Sequence, residues 1–247
     1  MEEAGWVVIT GGSRGIGAAT ARACAEAGYD VCFSFLSDNA AAEAVIADVE
    51  RIGRRAVAVQ ANVGQSADIA RLFAAVDGDL AGLVNNAGII GARATVETVE
   101  EAVLREVMSV NVVGAMLCAQ AALDRMAISK GHRGGSIVNV SSAAATLGSA
   151  GEYVHYAASK AALDTFTIGM SQEVATEGIR VNAVSPGFVD TEIHARAGAP
   201  DRLAKLAPTL PLKRPGTAEE VADAIVWLMS DAASYVTGAN LRVAGGR

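Results

Sequence analysis

Aromatic residues are scarce in this chain, at 4% of 247 residues. So few large rings argue against an aromatic-packed β-sandwich, and the abundant alanine suits helices packed closely on a sheet. Positive charge is also short. Lys and Arg number 20 against 27 Asp and Glu, a formal net charge of −7. A nucleic-acid or anionic-membrane partner would lack the basic surface it needs, so neither is expected. A phosphate can still be held locally by a helix N-terminus and a few arginines. Cysteine is limited to Cys24, Cys32 and Cys118, with neither metal-ligand spacing nor an obvious pairing. They read as reduced core thiols of a cytoplasmic protein. The three histidines form no ligand motif, so no metal is expected. The chain passes from MEEAG into the apolar run WVVIT with no basic flank or cleavage site. No run of about 18 apolar residues follows, so neither a signal peptide nor a membrane span is expected.

What is present is a rhythm. Candidate strands fall at Trp6–Thr10, Asp30–Phe35, Ala56–Gln60, Gly82–Asn85, Ser136–Val140, Arg180–Val184 and Asn240–Val243. Between them, Ala18–Ala27, Ala40–Ile52, Val99–Ile128, Ala157–Glu177 and Ala218–Met229 have helical length and composition. Near-continuous apolar strands alternating with helices predict an α/β fold, a doubly wound parallel sheet covered on both faces. With no internal repeat or linker, residues 1–247 read as a single domain. One region breaks the pattern: four further prolines and mixed charges follow Pro186 before Thr217. Residues 187–216 lie beyond a predicted strand, where open α/β sheets bind ligands. They read as a substrate loop or lid containing a short helix.

The first strand runs into TGGSRGIG, Thr10 to Gly17, ahead of a helix. Glycines let backbone amides approach a pyrophosphate, and the helix N-terminus favours its charge. The spacing departs from the usual dinucleotide fingerprint, because Thr20 stands where a third glycine belongs. No Gly-Lys-Ser/Thr is present, which disfavours a nucleoside-triphosphate loop. The second strand then ends FSFLSD, with Phe35, Leu36 and Ser37 where an acid would hold the adenosine ribose of NAD. Arg14 is placed to face a 2′-phosphate and Ser37 to donate a hydrogen bond to it. NADP (NADPH) is favoured, with NAD as the alternative because Asp38 comes next.

Taken together, these motifs resemble the short-chain dehydrogenases/reductases along essentially the whole chain. The series is Thr10-Gly11-x-x-x-Gly15-x-Gly17, Asn85-Asn86-Ala87-Gly88, Asn111 in SVNVVG, Ser142 in VNVSS, Tyr156-x-x-x-Lys160 and Pro186-Gly187. The flavour is similar to 3-oxoacyl-carrier-protein reductases and glucose 1-dehydrogenase-like members. The resemblance implies a Rossmann-type seven-stranded sheet, NAD(P)-dependent carbonyl–alcohol chemistry on a small-molecule substrate, and a homotetramer, a dimer being the alternative. It also implies cofactor contacts from Gly11, Ser13, Arg14, Gly15, Ile16, Gly17, Ser37, Asn62, Val63, Asn86, Ala87 and Gly88. Tyr156, Lys160, Pro186, Gly187, Val189 and Thr191 complete that set. Two departures stand out. Asn62-Val63 replaces the family's common Asp-Val, and the stretch from Ser142 to Tyr156 is one residue longer than in many members.

Reduction of a ketone leaves negative charge on its oxygen, which an acid must protonate. A phenol with an ordinary pKa near 10 matches neutral pH poorly, and a nearby ammonium favours the phenolate. Tyr156 and Lys160, four apart, share a helix face; Tyr153 lies about two turns from Lys160 and His155 about 100° around from Tyr156. Tyr156 is therefore the expected proton donor. In the family register Ser142 positions the substrate oxygen, Ser141 being the alternative, and Asn111 holds a water that relays protons towards Lys160. Tyr153, His155 and His194 read as packing or surface residues. A non-catalytic dinucleotide sensor or scaffold on the same fold is the competing class, but such proteins typically lack the tyrosine or the lysine.

Overall fold

The computed structural model describes residues 5–191, 203 and 206–247. Most of the expected lid, His194 included, lies outside the described residues; within the described part of it Ala207–Thr209 form a single 3-10 turn. In chain order the elements are β1 (Trp6–Ile9), α1 (Gly15–Glu26), β2 (Asp30–Phe35), α2 (Asn39–Arg51), β3 (Ala56–Gln60), α3 (Ser66–Ala74) and β4 (Leu80–Asn85). There follow α4 (Glu101–Met108), α5 (Ala115–Met126), β5 (Gly135–Val140), α6 (Ala144–Leu147), α7 (Val154–Glu173), β6 (Ile179–Pro186), α8 (Ala218–Met229) and β7 (Asn240–Val243). The seven strands form one parallel sheet in the order β3-β2-β1-β4-β5-β6-β7. The expected single-domain, doubly wound fold is what forms.

The sequence dictates this because β1, WVVI, is apolar at every position and buried along its length. Such a strand needs cover on both faces, and side chains alternate between them. Val7 and Ile9 join Val31, Phe33, Val45 and Ile225 in a core beneath α1, α2 and α8. Trp6 and Val8 join Leu72, Leu83, Ile137 and Met126 in a second core beneath α3, α5 and α7. Each large side chain buried in full contributes about 1.5–3 kcal/mol.

Two differences from the sequence expectation bear on how the sheet is covered. The helix expected over Val99–Ile128 spans Glu101–Met126 and widens into a π-turn at Ser109–Gly114. There Gly114 packs so closely that a Cβ on it would stand 2.5 Å from the Val63 carbonyl oxygen. By length and apolarity this run, mean hydropathy 1.5, is sufficient to cross a bilayer. It is folded onto β4 and α3 instead, with Cys118, Ala119, Ala122 and Met126 buried. The second difference is α3, SADIARLFA, which was not among the expected helices. At nine residues its pattern is brief, yet the right-handed crossover from β3 to β4 requires a covering element.

Strands β1 and β4 are neighbours, and the chain winds outward from them in both directions. The loops that follow them open a crevice at their carboxyl ends, the place for a ligand in an open α/β sheet.

Candidate active site

The glycine loop fills one side of that crevice. Gly11 and Gly15 have φ of +67° and +50°, conformations that suit glycine. Gly17 is needed for space: a Cβ there would lie 2.2 Å from Gly11 O and 2.6 Å from Asn86 Nδ2. The loop is bound from two strands. Ser34 Oγ of β2 accepts from Gly11 N–H at 2.9 Å, and Asn86 Nδ2 donates to Thr10 O and Gly11 O, each at 2.9 Å. Thr10 Oγ1 in turn accepts the amides of Asn86 and Ala87.

Helix α1 begins with Arg14 as an extended N-cap that makes no side-chain cap bond, and its first turn holds no acid. Its first intrahelical bond runs from Ala18 N–H to Arg14 O, leaving the amides of Gly15, Ile16 and Gly17 without partners inside the helix. By contrast α2 is capped by Asp38 and α8 by a Thr217–Glu220 capping box. A glycine-lined turn leading to uncapped amides is chemically suited to a pyrophosphate, so the residues fit a dinucleotide.

At the end of β2, Leu36 and Ser37 are exposed. The adjacent acid is committed elsewhere: Asp38 Oδ1 accepts from Ala41 N–H at 3.0 Å, capping α2. After β3, Asn62 Oδ1 accepts from Gly64 N–H at 2.9 Å, so one lone pair is used within its own turn. Asp68 Oδ2 holds the Asn62 amide at 2.8 Å. Val63 is buried beneath the π-turn.

The remaining predicted residues converge on the same crevice. A Cβ on Gly88 would stand 3.2 Å from Lys160 Nζ and 3.3 Å from Asn111 Oδ1, and one on Gly15 would stand 3.2 Å from Thr191 Cγ2. Pro186 O accepts from Ala143 N–H, and Gly187 N–H donates to Val243 O. Val189 bridges Gly216, and Asp190 N–H donates to Gly216 O at 2.9 Å, so the chain on either side of the expected lid is tied together. A cavity of about 250 Å³ between Phe188, Leu210, Leu212 and Val243 lies beside this site and shares none of its proton-handling residues.

Tyr156 is partly buried on the first turn of α7, and Lys160 lies one turn on, buried, with Nζ 5.8 Å from the phenol ring centroid. Lys160 Nζ donates to Val140 O at 2.7 Å. Burial pushes its pKa down to about 8, opposed by the Asp164 carboxylate. Burial also pushes the Tyr156 phenol above its ordinary value, with the Ser142 hydroxyl opposing. Burial is the larger influence on the phenol, and the Lys160 ammonium, 5.8 Å from the ring centroid, is turned to the Val140 carbonyl. The serine alternatives separate cleanly. Ser142 faces Tyr156, whereas Ser141 is buried behind it with Oγ donating to Lys160 O at 3.2 Å.

Asn111 sits fully buried in the π-turn with its side chain bonded to protein. Oδ1 accepts from Ile89 N–H at 2.8 Å, while Nδ2 donates to Ile89 O and to Ser159 Oγ. Both Nδ2 protons are thus spent within the protein while Oδ1 keeps one lone pair, and the widened turn disturbs the helical ladder here. Ser159, which sequence reasoning passed over, donates to Tyr156 O at 2.7 Å and so links Asn111 to the tyrosine's turn.

Tyr153 is the N-cap of α7, not a member of the Tyr156 face, and is buried edge-on to His155. His155 Nε2 bonds Ile90 O at 3.0 Å, a packing role. The longer stretch before Tyr156 forms α6 and then a tight turn in which Gly148, Ser149 and Gly151 have φ of +78°, +47° and +76°. Ala94 N–H donates to Glu152 O, and Arg93 pairs with Glu152 at 3.1 Å, fastening the β4–α4 loop to this turn. Of the residues missed, Ser34 had a signal, a lone polar residue in the apolar FSF; Ser159 had none.

A crevice with phosphate-ready amides on one wall and a tyrosine–lysine–serine cluster on the other defines a dinucleotide-dependent oxidoreductase. Comparison with known proteins agrees. Residues 11–247 match the family described as enoyl-(acyl carrier protein) reductase. An uncharacterized oxidoreductase of Escherichia coli, YgfF, is 49% identical over 97% of this chain and 98% of its own length. The cis-4-hydroxycyclohexanecarboxylate dehydrogenase of Sinomonas cyclohexanicum is 40% identical over 97% and 94%. A short-chain dehydrogenase from Burkholderia cenocepacia, solved in complex with NADP, superposes with a TM-score of 0.89 at 31% identity, covering 99% of this chain and 98% of that one. The chain belongs to the short-chain dehydrogenase/reductase family, and is an NAD(P)-dependent oxidoreductase.

Proposed function

We propose that the protein interconverts a carbonyl and a secondary alcohol, with NADP(H) as cofactor and Tyr156 as proton donor and acceptor. The observation that carries this is the cluster of Tyr156, Lys160 and Ser142 at the mouth of the crevice. When bound, the nicotinamide supplies or accepts the hydride. Ser142 orients the substrate oxygen, and Tyr156 gives that oxygen its proton or removes it. Lys160, with a pKa near 8, carries the ammonium that offsets the phenolate left behind. Asn111 holds the π-turn against Ile89 and Ser159, fixing the helix beside the lysine.

The cofactor's phosphates would rest on the loop of Gly11, Ser13, Arg14, Gly15, Ile16 and Gly17. Its adenosine end would meet Ser37, Asn62, Val63, Asn86, Ala87 and Gly88, and its nicotinamide end Pro186, Gly187, Val189 and Thr191. NADP is favoured because Phe35, Leu36 and Ser37 stand where an acid would hold the ribose, Asp38 caps α2 through Oδ1, and Arg14 can pair with the 2′-phosphate.

The assembly we infer is a homotetramer. Two separate exposed apolar faces support it: Leu104, Met108, Met116 and Ile168 on α4, α5 and α7, and Trp227, Tyr235 and Leu241 near the β7 edge. Free, buried Cys24, Cys32 and Cys118, their thiols pushed up to about 12 by burial, suit a reducing cytoplasm.

The test is a panel of ketones and aldehydes with NADPH and NADH, followed by loss of nicotinamide absorbance. Equal or better turnover with NADH would sink the cofactor assignment. Tyr156→Phe should abolish turnover and keep NADPH binding; a fully active variant removes Tyr156 from the mechanism.

A further inference from the structure

One half-buried carboxyl group has no part in the proton chemistry so far. Asp164 lies four residues beyond Lys160 on α7, on the same helix face, with Oδ1 buried and lacking a hydrogen-bond partner among the described residues. Ser141 and Asn240 approach the carboxylate closely enough to favour its ionised form. Yet a serine hydroxyl carries one proton, and that of Ser141 goes to Lys160 O at 3.2 Å. Nor does Lys160 Nζ reach Asp164, because it is turned to Val140 O. A half-buried carboxylate one helical turn from a buried ammonium, with no ion pair between them, acts on it through the field, which a low-dielectric interior transmits well.

We propose that Asp164 is a positioning residue that holds more of Lys160 in its ammonium form near neutral pH. The proposal rests on the reading of Tyr156 and Lys160 as the proton-handling pair. The groups involved are few. Tyr156 and Asp164 are the titratable neighbours of Lys160, from its own helix, and the loop after β4 and strand β5 present only backbone to it. Asp164 faces Lys160, Ser141 and Asn240, and no other charged side chain among the described residues bears on either group. Burial alone drives the lysine towards neutrality, and Asp164 is the opposing influence. Its loss therefore discharges Lys160 at a lower pH.

The sequence has four lysines, Lys130, Lys160, Lys205 and Lys213, so a chain labelled with carbon-13 at lysine Cε gives a spectrum simple enough to assign with Lys160→Met. The titration is run on the full chain without cofactor or substrate, so its outcome stands apart from any activity. In the unaltered chain the Lys160 signal should show its main step near pH 8 and a second, smaller inflection in acid, where Asp164 takes up its proton. In Asp164→Asn the acid inflection should vanish and the main step should fall by about 0.5 to 1 pH unit. Asp164→Glu should restore both. An unmoved main step in Asp164→Asn, or no acid inflection in the unaltered chain, overturns the proposal. If carbonyl reduction is measurable, the alkaline limb of kcat/KM should move down by the same interval. A merely structural aspartate would lower the rate without moving the limb.

Discussion

Replacing Gly17 by alanine tests whether the glycine loop is a packing device as well as a phosphate cradle. The new Cβ would meet Gly11 O at 2.2 Å and Asn86 Nδ2 at 2.6 Å, and the first of these is backbone that cannot swing aside. Relief requires α1 to move off the strand ends or Asn86 to leave, breaking its bonds to Thr10 O and Gly11 O. Overpacking costs about 1–3 kcal/mol. Two lost hydrogen bonds add about 1 kcal/mol each, and the better helix propensity of alanine returns about 1. The net loss is about 2–4 kcal/mol, or roughly 10 °C in Tm for a chain of this size. Urea unfolding followed by far-UV circular dichroism at one protein concentration measures it, and NADPH fluorescence titration should show affinity falling in parallel. Gly28→Ala is the control: its φ of +96° strains any side chain, but nothing lies within 4 Å. That variant should lose only about 1 kcal/mol and bind cofactor normally. If Gly17→Ala proves no less stable than Gly28→Ala, the close approach of loop to helix is not what requires the glycine.

Lys160→Met should stabilise the fold while removing turnover. The lysine's pKa falls from 10.5 to about 8 on folding, a burden of about 3 kcal/mol, and the lost bond to Val140 O offsets about 1 of it. That burden is fully present below about pH 8, where both states are protonated, and fades as pH rises towards 10.5, where the unfolded chain also discharges. The advantage of Lys160→Met in urea should therefore shrink across that window; a constant advantage would refute the charge argument. Arg14→Ala should weaken NADPH binding by about tenfold to a hundredfold and leave NADH binding almost unchanged, since one charge-assisted contact is worth about 1.5–3 kcal/mol. Equal losses for both cofactors in calorimetry would remove Arg14 from the 2′-phosphate. Ile168→Glu and Trp227→Glu, one on each exposed apolar face, should each halve the assembly in sedimentation velocity, and an intact tetramer in both would move the interfaces elsewhere.

How far the sequence foretold this site follows from how local each cause is. Strands such as WVVI and DVCFSF announce themselves because burial on both faces favours a mostly apolar run, and both formed where expected. The Tyr156–Lys160 spacing was legible because helical geometry alone puts the two on one face. The direction of the lysine's charge was not, since it depends on Val140 O, twenty residues away, arriving at 2.7 Å through sheet packing. Asn111 shows the same division. Its place beside the lysine was readable from the motif. Its bonds to Ile89 and Ser159 were not, because they exist only once a π-turn brings three elements together. Asp38 ran the other way: a helix N-cap is a local decision, so its capping of α2 could be anticipated and is visible as the Ala41 bond. Residues whose role is set by neighbours in sequence were readable, and those whose role is set by a partner across the sheet were not. The buried Lys160 belongs to the second kind, because a carbonyl of β5 sets where its charge points.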